Sequence, residues 1–337
     1  MSAVFVVTAY GGPQGQQLTE REAPAPGPGE IAIEVRAAGV NPADWKRREG
    51  AFGTRGRLPL AMGLEASGVV TALGEGVSSF ALGDEVLGAP ARGLGAFAEH
   101  TVLDASASVA KPEEISFADA ATIPVAGTTA YDLTHQVELE AGQTLLVLGA
   151  GGGVGRMALQ IAKVHEFRAI GVASDSKREL VEATGATFVP SGEGVVGRVR
   201  EIAPEGVDLL ADLVGGEALR ELAPLAKDPS RIVSAADADT ATELGGAGRE
   251  RAEGVLEKIT DVVRHGLVDP HVSATFPLER AAEAIAAVES GHAGGKIVIQ
   301  YGLVDPHVVV TFPLARAAEA IAAVESGHAG GKIVIVP

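Results

Sequence analysis

Cysteine does not occur among the 337 residues, which excludes disulfides, a thiolate nucleophile and any cysteine-held zinc or iron–sulfur centre. Positive charge is scarce. The chain carries 27 Lys and Arg against 44 Asp and Glu, a formal charge of -17, and such a surface repels polyphosphate backbones. Nucleic acid is therefore not an expected partner, although backbone amides and one or two cations can still hold a small anionic cofactor. Long apolar runs are also missing: none approaches the ~20 residues of a membrane span. The start, MSAVFVVTAYGG, lacks the basic n-region of a signal peptide. The expected address is the cytoplasm, with no membrane partner.

What is present is ordinary globular material, 46% hydrophobic and 21% charged, in a chain long enough for two domains. From Val4 to about Val109 short alternating runs such as IAIEVRAAGV and SGVVTALG are punctuated by Gly and Pro, as in antiparallel strands. From about Ser116 the rhythm changes. Helix-length amphipathic segments alternate with the short apolar runs TLLVLGA, RAIGVAS, VDLLADLV and SRIVSAA, which predicts βαβ units on a parallel sheet.

The chain ends on a repeat. Residues 266–299 and 302–335 match at an offset of 36, differing only at Ser273/Val309, Ala274/Val310 and Glu279/Ala315. Each copy predicts a strand, a helix opened by Pro277 or Pro313 and ended by Gly291 or its counterpart, and a closing strand GKIVI. Repeat folds stack several diverged units, so two near-identical copies read as a recent duplication of one structural closure. The second copy is expected to pack peripherally, swap with a partner chain or compete for the first copy's slot, and to carry no chemistry.

Thr144-Leu-Leu-Val-Leu148 leads into Gly149-Ala-Gly-Gly-Gly-Val-Gly155 and then an apolar helix face at Met157, Ala158, Ile161 and Ala162. Strand, glycine turn and helix in this order form a dinucleotide site. The spacing Ala150-x-Gly152-x-x-Gly155 lets the chain turn, lets a pyrophosphate approach the backbone and lets the helix pack on its strand. Ala150, Gly151, Gly152, Gly153, Val154 and Gly155 are the expected cofactor contacts. The next strand ends at Ala173-Ser174, followed by Asp175, Ser176, Lys177 and Arg178. An NAD enzyme places an acid near this point for the ribose. A small residue, a hydroxyl and two cations suit a 2′-phosphate instead, so NADPH is expected on Ser174, Lys177 and Arg178; the bland alternative is a solvated helix start.

With a β-rich region in front of this fold, the chain resembles the zinc-independent quinone oxidoreductases, the zeta-crystallin-like branch of the medium-chain dehydrogenase/reductase superfamily. The resemblance runs from about residue 4 to 299. It rests on Ala38-Gly-Val-Asn-Pro-Ala-Asp-Trp45, Gly63-Leu-Glu-Ala-Ser-Gly-Val-Val70, Leu82-Gly-Asp-Glu-Val86, Gly95-Ala-Phe-Ala-Glu99, Gly127-Thr-Thr-Ala-Tyr131, the glycine turn, Asp208-Leu-Leu-Ala-Asp212 with Gly215-Gly216, and Gly295-Lys-Ile-Val-Ile299. It implies an α/β protein: a GroES-like β-rich catalytic domain (1–118), a Rossmann doubly wound parallel-sheet domain binding NADPH (119–264), a return segment completing the first domain (265–300) and the duplicate (301–337). It also implies a homodimer.

Zinc-dependent relatives have a cysteine where Asn41 stands, a histidine where Leu64 stands and four further cysteines in a zinc lobe. Without them there is no Lewis acid to polarise an alcohol, and the resemblance implies NADPH-dependent reduction of a quinone or an activated C=C, with no metal. The site residues it implies are Asn41, a donor to the substrate oxygen or else a turn residue before Pro42, Asp44 and Lys46, which fix the loop or pass a proton, and Phe52, which lines the pocket. Many relatives carry a tyrosine where Phe52 stands, so a mechanism using that hydroxyl is in doubt. Thr129 and Ala235 are expected beside the cofactor, and Gly192 stands where relatives place a Tyr or His against the adenosine phosphate.

The eight histidines form no metal-ligand spacing, and surface or turn roles suffice. Two alternatives stay open: an enoyl reductase acting on a thioester or biosynthetic intermediate, and a non-catalytic NADPH-binding sensor or structural protein, which the 4% aromatic content and the missing tyrosine allow.

Overall fold

The computed structural model describes residues 1–54, 58–301, 308–313 and 332–336. Its chain divides into two compact units, Met1–Gln300 and Tyr301–Pro337.

The first unit opens on antiparallel β structure. Strand Glu30–Val40 is its hub: one edge pairs with Ala66–Leu73, while the other pairs with His100–Ala110 along its first half and with Lys296–Gln300 along its second. Bulges at Ala32/Ile33 and Val35/Ala37 bend the strand so that it can serve these partners. Glu85–Pro90 bridges Ala66–Leu73 to His100–Ala110, which closes a circuit of four strands. Val272–Phe276 then adds in parallel to Lys296–Gln300. A smaller sheet of Gln16–Arg21, Ser2–Val7 and Leu60–Ala61 lies beside it.

The second half of this unit is an all-parallel six-stranded sheet in the order Thr187–Pro190, Arg168–Ala173, Thr144–Leu148, Leu209–Asp212, Ile232–Ser234, Ala247–Gly248. Numbered along the chain this is 3-2-1-4-5-6, the doubly wound order whose ligand crevice lies at the carboxyl ends of its strands, where the order reverses. Every residue of Thr144–Leu148 is buried because both faces are covered. Leu145 and Val147 join Met157, Ala158 and Ile161 in one core, and Leu146 and Leu148 join Val195, Val199 and Leu219 in the other. The expected β-rich region and parallel sheet are thus both present.

In the first copy of the repeat, strand Val272–Phe276 leads to a single 3-10 turn, Leu278–Arg280, and then helix Ala281–Glu289. Pro277 stands one place before the position expected for it, in extended conformation at the N-cap, and Gly291 follows the helix with φ 71°. In the second unit Val308–Pro313 and Lys332–Val336 form a two-stranded parallel sheet. Its register, Val308 to Lys332 and Val310 to Ile333, repeats that of Val272 to Lys296 and Ala274 to Ile297, bulge included. The helix expected after Pro313, together with His307 and His328, lies outside the described residues. Among the described residues no helix is long and apolar enough to cross a membrane.

Candidate active site

The segment GVNPADWK makes the site's floor. Asn41 is the extended N-cap of helix Pro42–Glu49, Pro42 fills its first position, and the Asp44 carboxylate accepts the Asn41 backbone N–H at 2.8 Å. This fixes the exit from strand Glu30–Val40 and turns the Asn41 side chain inward, where it is only 3% exposed. Its Nδ2 donates to Glu65 Oε1 at 2.8 Å and to Gly39 O at 3.4 Å. Its Oδ1 accepts from Lys296 Nζ at 2.6 Å. Lys296 also donates to Glu65 Oε1 at 3.0 Å and to Val40 O at 3.3 Å, which uses all three ammonium hydrogens. Glu65 Oε2 accepts the Val125 N–H at 2.7 Å.

Asn41, Glu65 and Lys296 therefore form a closed buried network with each charge compensated, the arrangement in which a buried ion pair is tolerated. Beside it Asp44 is fully buried, and one of its carboxylate oxygens, Oδ1, has no hydrogen-bond partner among the described residues. Burial, reinforced by the nearby Glu65 charge, pushes its pKa up to about 7.

At the family's metal position stand an amide, an aliphatic side chain (Leu64), a carboxylate and an ammonium group, and the ammonium already neutralises the carboxylate. Those residues do not fit a zinc ion, which takes anionic or neutral N, O and S donors around an open position. No group of three or more His, Asp or Glu among the described residues is placed to hold a metal. Among the described histidines, His135 Nε2 and His165 Nε2 meet at 3.1 Å.

A cleft of about 800 Å³ opens above this floor. Its apolar lining includes Phe52, Leu64, Pro90, Leu94 and Val125, and Thr129 and Ala235 also line it. Phe52 is 68% exposed and also borders a second cavity of about 500 Å³, where Lys46 lies with Trp45 and Asp237. Lys46 thus faces a different cavity from Thr129 and Ala235. Asn41 borders neither, and both of its amide hydrogens are committed inward. In this arrangement it holds Glu65 and Lys296 rather than presenting a donor to the cleft. The Thr129 hydroxyl donates to Val125 O at 2.6 Å, leaving its lone pairs for a donor from the cleft side.

At the glycine turn each glycine has its own reason. A Cβ on Gly155 would meet Gly149 O at 2.5 Å and Ala150 Cα at 2.6 Å, so the helix packs on its strand only without one. On Gly151 it would strike the Lys177 stem at 2.7 Å, and on Gly153 the Lys296 stem at 2.6 Å. Gly152 is exposed, has nothing nearer than 3.7 Å to such a Cβ, and begins helix Gly153–Val164. Ala150 is wholly buried in the core and Val154 only partly. An open backbone at a helix N-terminus fits a pyrophosphate.

The three residues expected at the 2′-phosphate divide. Ser174 is exposed at the strand end, its hydroxyl 3.1 Å from that of Ser176. Arg178 pairs with Asp175 at 2.8 Å and Glu182 at 3.6 Å and covers the Phe188 ring. Lys177 is buried, donates its ammonium to the His292 carbonyl, and has its pKa lowered by burial. It ties the Rossmann strand end to the first repeat copy and does not point into solvent. Gly192 has φ 95° with open space where a Cβ would stand, and its carbonyl accepts from Arg198 at 3.2 Å.

Sequence reasoning named Asn41 and Asp44 but missed their partners Glu65 and Lys296. Both lie inside quoted motif blocks, yet 231 residues separate them, and no local pattern signals the pairing. Arg47, Arg249 and Arg251, which also line the cleft, carry no motif at all.

Comparison with known proteins agrees with this layout. Residues 27–113 match the alcohol dehydrogenase GroES-like domain, and the zinc-binding dehydrogenase model matches twice, over 179–299 and again over 299–335. The rat synaptic vesicle membrane protein VAT-1 homolog is 30% identical over 88% of this chain and 83% of its own. The chloroplastic NADPH-dependent alkenal/one oxidoreductase of Arabidopsis thaliana is 33% identical over 80% of this chain and 72% of its own. Among solved structures, Escherichia coli quinone oxidoreductase complexed with NADPH superposes with a TM-score of 0.81 at 25% identity, covering 88% of this chain and 99% of that one.

Proposed function

Because the chain belongs to the medium-chain dehydrogenase/reductase superfamily, among its quinone oxidoreductases and alkenal reductases, we propose that it is an NADPH-dependent reductase of quinones or α,β-unsaturated carbonyls that works without zinc. The observation that carries this reading is the closed Asn41–Glu65–Lys296 network at the family's metal position, beside both the cleft and the glycine turn. An alcohol dehydrogenase needs a Lewis acid there. A reductase of an activated C=C needs only a held hydride donor, a held acceptor and a positive field for the developing oxyanion.

The backbone of Gly151–Gly155 would hold the pyrophosphate, Ser174 and Arg178 the 2′-phosphate, and Thr129 and Ala235 the nicotinamide end. When bound, NADPH supplies the hydride. The chain's own work is positional. The Asp44 cap fixes the floor, Lys296 braces Gly153 from below, and the apolar lining at Phe52, Leu64 and Val125 excludes water from the acceptor. Similarity to proteins named for NADPH and for alkenal or quinone substrates supports the cofactor and substrate class. Cytoplasmic residence and a homodimer belong to the same proposal, on family resemblance.

Fluorescence titration with NADPH and NADH, followed by a panel of quinones and enones, tests it. We expect NADPH to bind more tightly and at least one acceptor to be turned over in the presence of chelator. Tight NADPH binding with no turnover of any acceptor would favour the non-catalytic reading.

A further inference from the structure

Acids outnumber bases 44 to 27 in the whole chain, yet the main cleft reverses that ratio. Four arginines line it, Arg47, Arg92, Arg249 and Arg251, against two acids, Asp132 and Glu257. Asp132 is already used: it takes Arg249 at 2.7 Å, and Arg249 also donates to Thr128 Oγ1 at 3.1 Å. Among the described residues Arg47, Arg92 and Arg251 have no ion pair; the buried Asp44 charge acts on Arg47, and of the cleft's own carboxylates only Glu257 is left to face the three. The neighbouring cavity has the opposite sign, with Glu49, Asp237 and Asp239 against Lys46. The cleft lining thus carries a local excess of positive charge that the neighbouring cavity lacks.

The cofactor does not account for these cations. Its phosphate-holding segments, Gly151–Gly155 and Ser174–Arg178, are absent from the cleft lining. A neutral quinone would not account for them either. Planar guanidinium forks match carboxylate and phosphate oxygens bidentately.

Building on the reductase reading, we propose that the acceptor carries an anionic group, a carboxylate or a phosphate, remote from its activated C=C, and that Arg47 and Arg251 hold it. Arg47 stands half-buried on the helix that begins at Asn41, and Arg251 lies exposed in the segment after strand Ala247–Gly248, so the two come from opposite halves of the chain. With the anion held, the acceptor's β-carbon takes a hydride from the reduced nicotinamide. The π pair moves to the α-carbon and carbonyl oxygen, water supplies the proton that restores the α C–H bond, and the cofactor leaves oxidised.

The test compares 6-oxohept-4-enoate with its methyl ester, and crotonyl-CoA with the crotonyl thioester of N-acetylcysteamine, as NADPH-dependent kcat/KM at two salt concentrations. We expect the anionic member of one pair to be favoured by about tenfold or more, with the preference shrinking at high salt. The first pair reports a carboxylate and the second a phosphate. Arg47→Gln and Arg251→Gln should each lower the anionic-to-neutral ratio by about tenfold, and Arg47→Lys should lower it less. Equal or better use of both neutral members, or ratios unmoved in the variants, overturns the inference while leaving the reductase reading intact. If no acceptor is reduced, the reductase reading fails, and calorimetry with saturated 6-oxoheptanoate or butyryl-CoA on the NADPH-loaded protein decides the anion site: absence of binding to both overturns it.

Discussion

At the scale of single residues the most consequential group is Asp44. Its carboxyl is desolvated beside Glu65, with Lys296 and Arg47 only partly compensating, and its pKa stands near 7. A carboxyl whose folded pKa lies above its unfolded value binds the extra proton in the folded state. The Asp44 contribution to stability is therefore fully present below its ordinary value of 3.8, falls as pH rises towards about 7, and is lost above it. Asp44→Asn keeps an acceptor for the Asn41 N–H and removes the titration. Its Tm should hold nearly level between pH 5 and 8, where the parent's declines through the same interval, an effect on the order of a few kcal/mol. Parallel Tm curves for parent and variant would show that Asp44 does not titrate there. The residue was legible from the sequence as a site candidate because it follows Asn-Pro-Ala. Its titration was not, because that depends on Glu65 and Lys296, which reach it only through the pairing of strands Ala66–Leu73 and Lys296–Gln300 with Glu30–Val40.

At the scale of elements the glycine turn separates folding from binding. Gly155 sits where helix Gly153–Val164 crosses Gly149 and Ala150, and a Cβ there would collide with backbone that cannot give way. Gly152 has ordinary negative φ (-86°) and room for a methyl group, but that methyl would stand where a pyrophosphate approaches. Gly155→Ala should lose about 1–3 kcal/mol of stability. Gly152→Ala should melt within about 0.5 kcal/mol of the parent while binding NADPH about tenfold or more weakly. Thermal unfolding and fluorescence titration on the two variants check this, and equal stability losses would refute the division. The turn was readable in sequence because strand, glycines and helix are contiguous and each obeys its own periodicity. The fate of Lys177 was not: its backbone places it at the strand end as expected, but its side chain is captured by the His292 carbonyl from 115 residues away. A cation beside a phosphate-binding position is no guide to where its ammonium points when another segment offers a buried acceptor.

For the whole molecule the question is what one closure written twice does to function. The first copy is not a passive cover. Its strand Lys296–Gln300 pairs with Glu30–Val40 from Ile297↔Val40 to Gln300↔Ala37, and in doing so carries Lys296 to Glu65 and its stem under Gly153. One segment thus completes the antiparallel sheet, neutralises the buried carboxylate and braces the dinucleotide turn. The second copy repeats the strand pair in the same register, while the first has Glu30–Val40 as a further partner. A chain truncated after Gln300 keeps every strand partner of the first unit and both halves of the cleft. It should fold cooperatively, bind NADPH as the full chain does and retain turnover within about twofold. Loss of turnover in a truncated protein that still melts cooperatively would give the second copy a function of its own. Its duplicated lysine, Lys332, would then be the first residue to replace, because at the corresponding place Lys296 is what joins the sheet to the site.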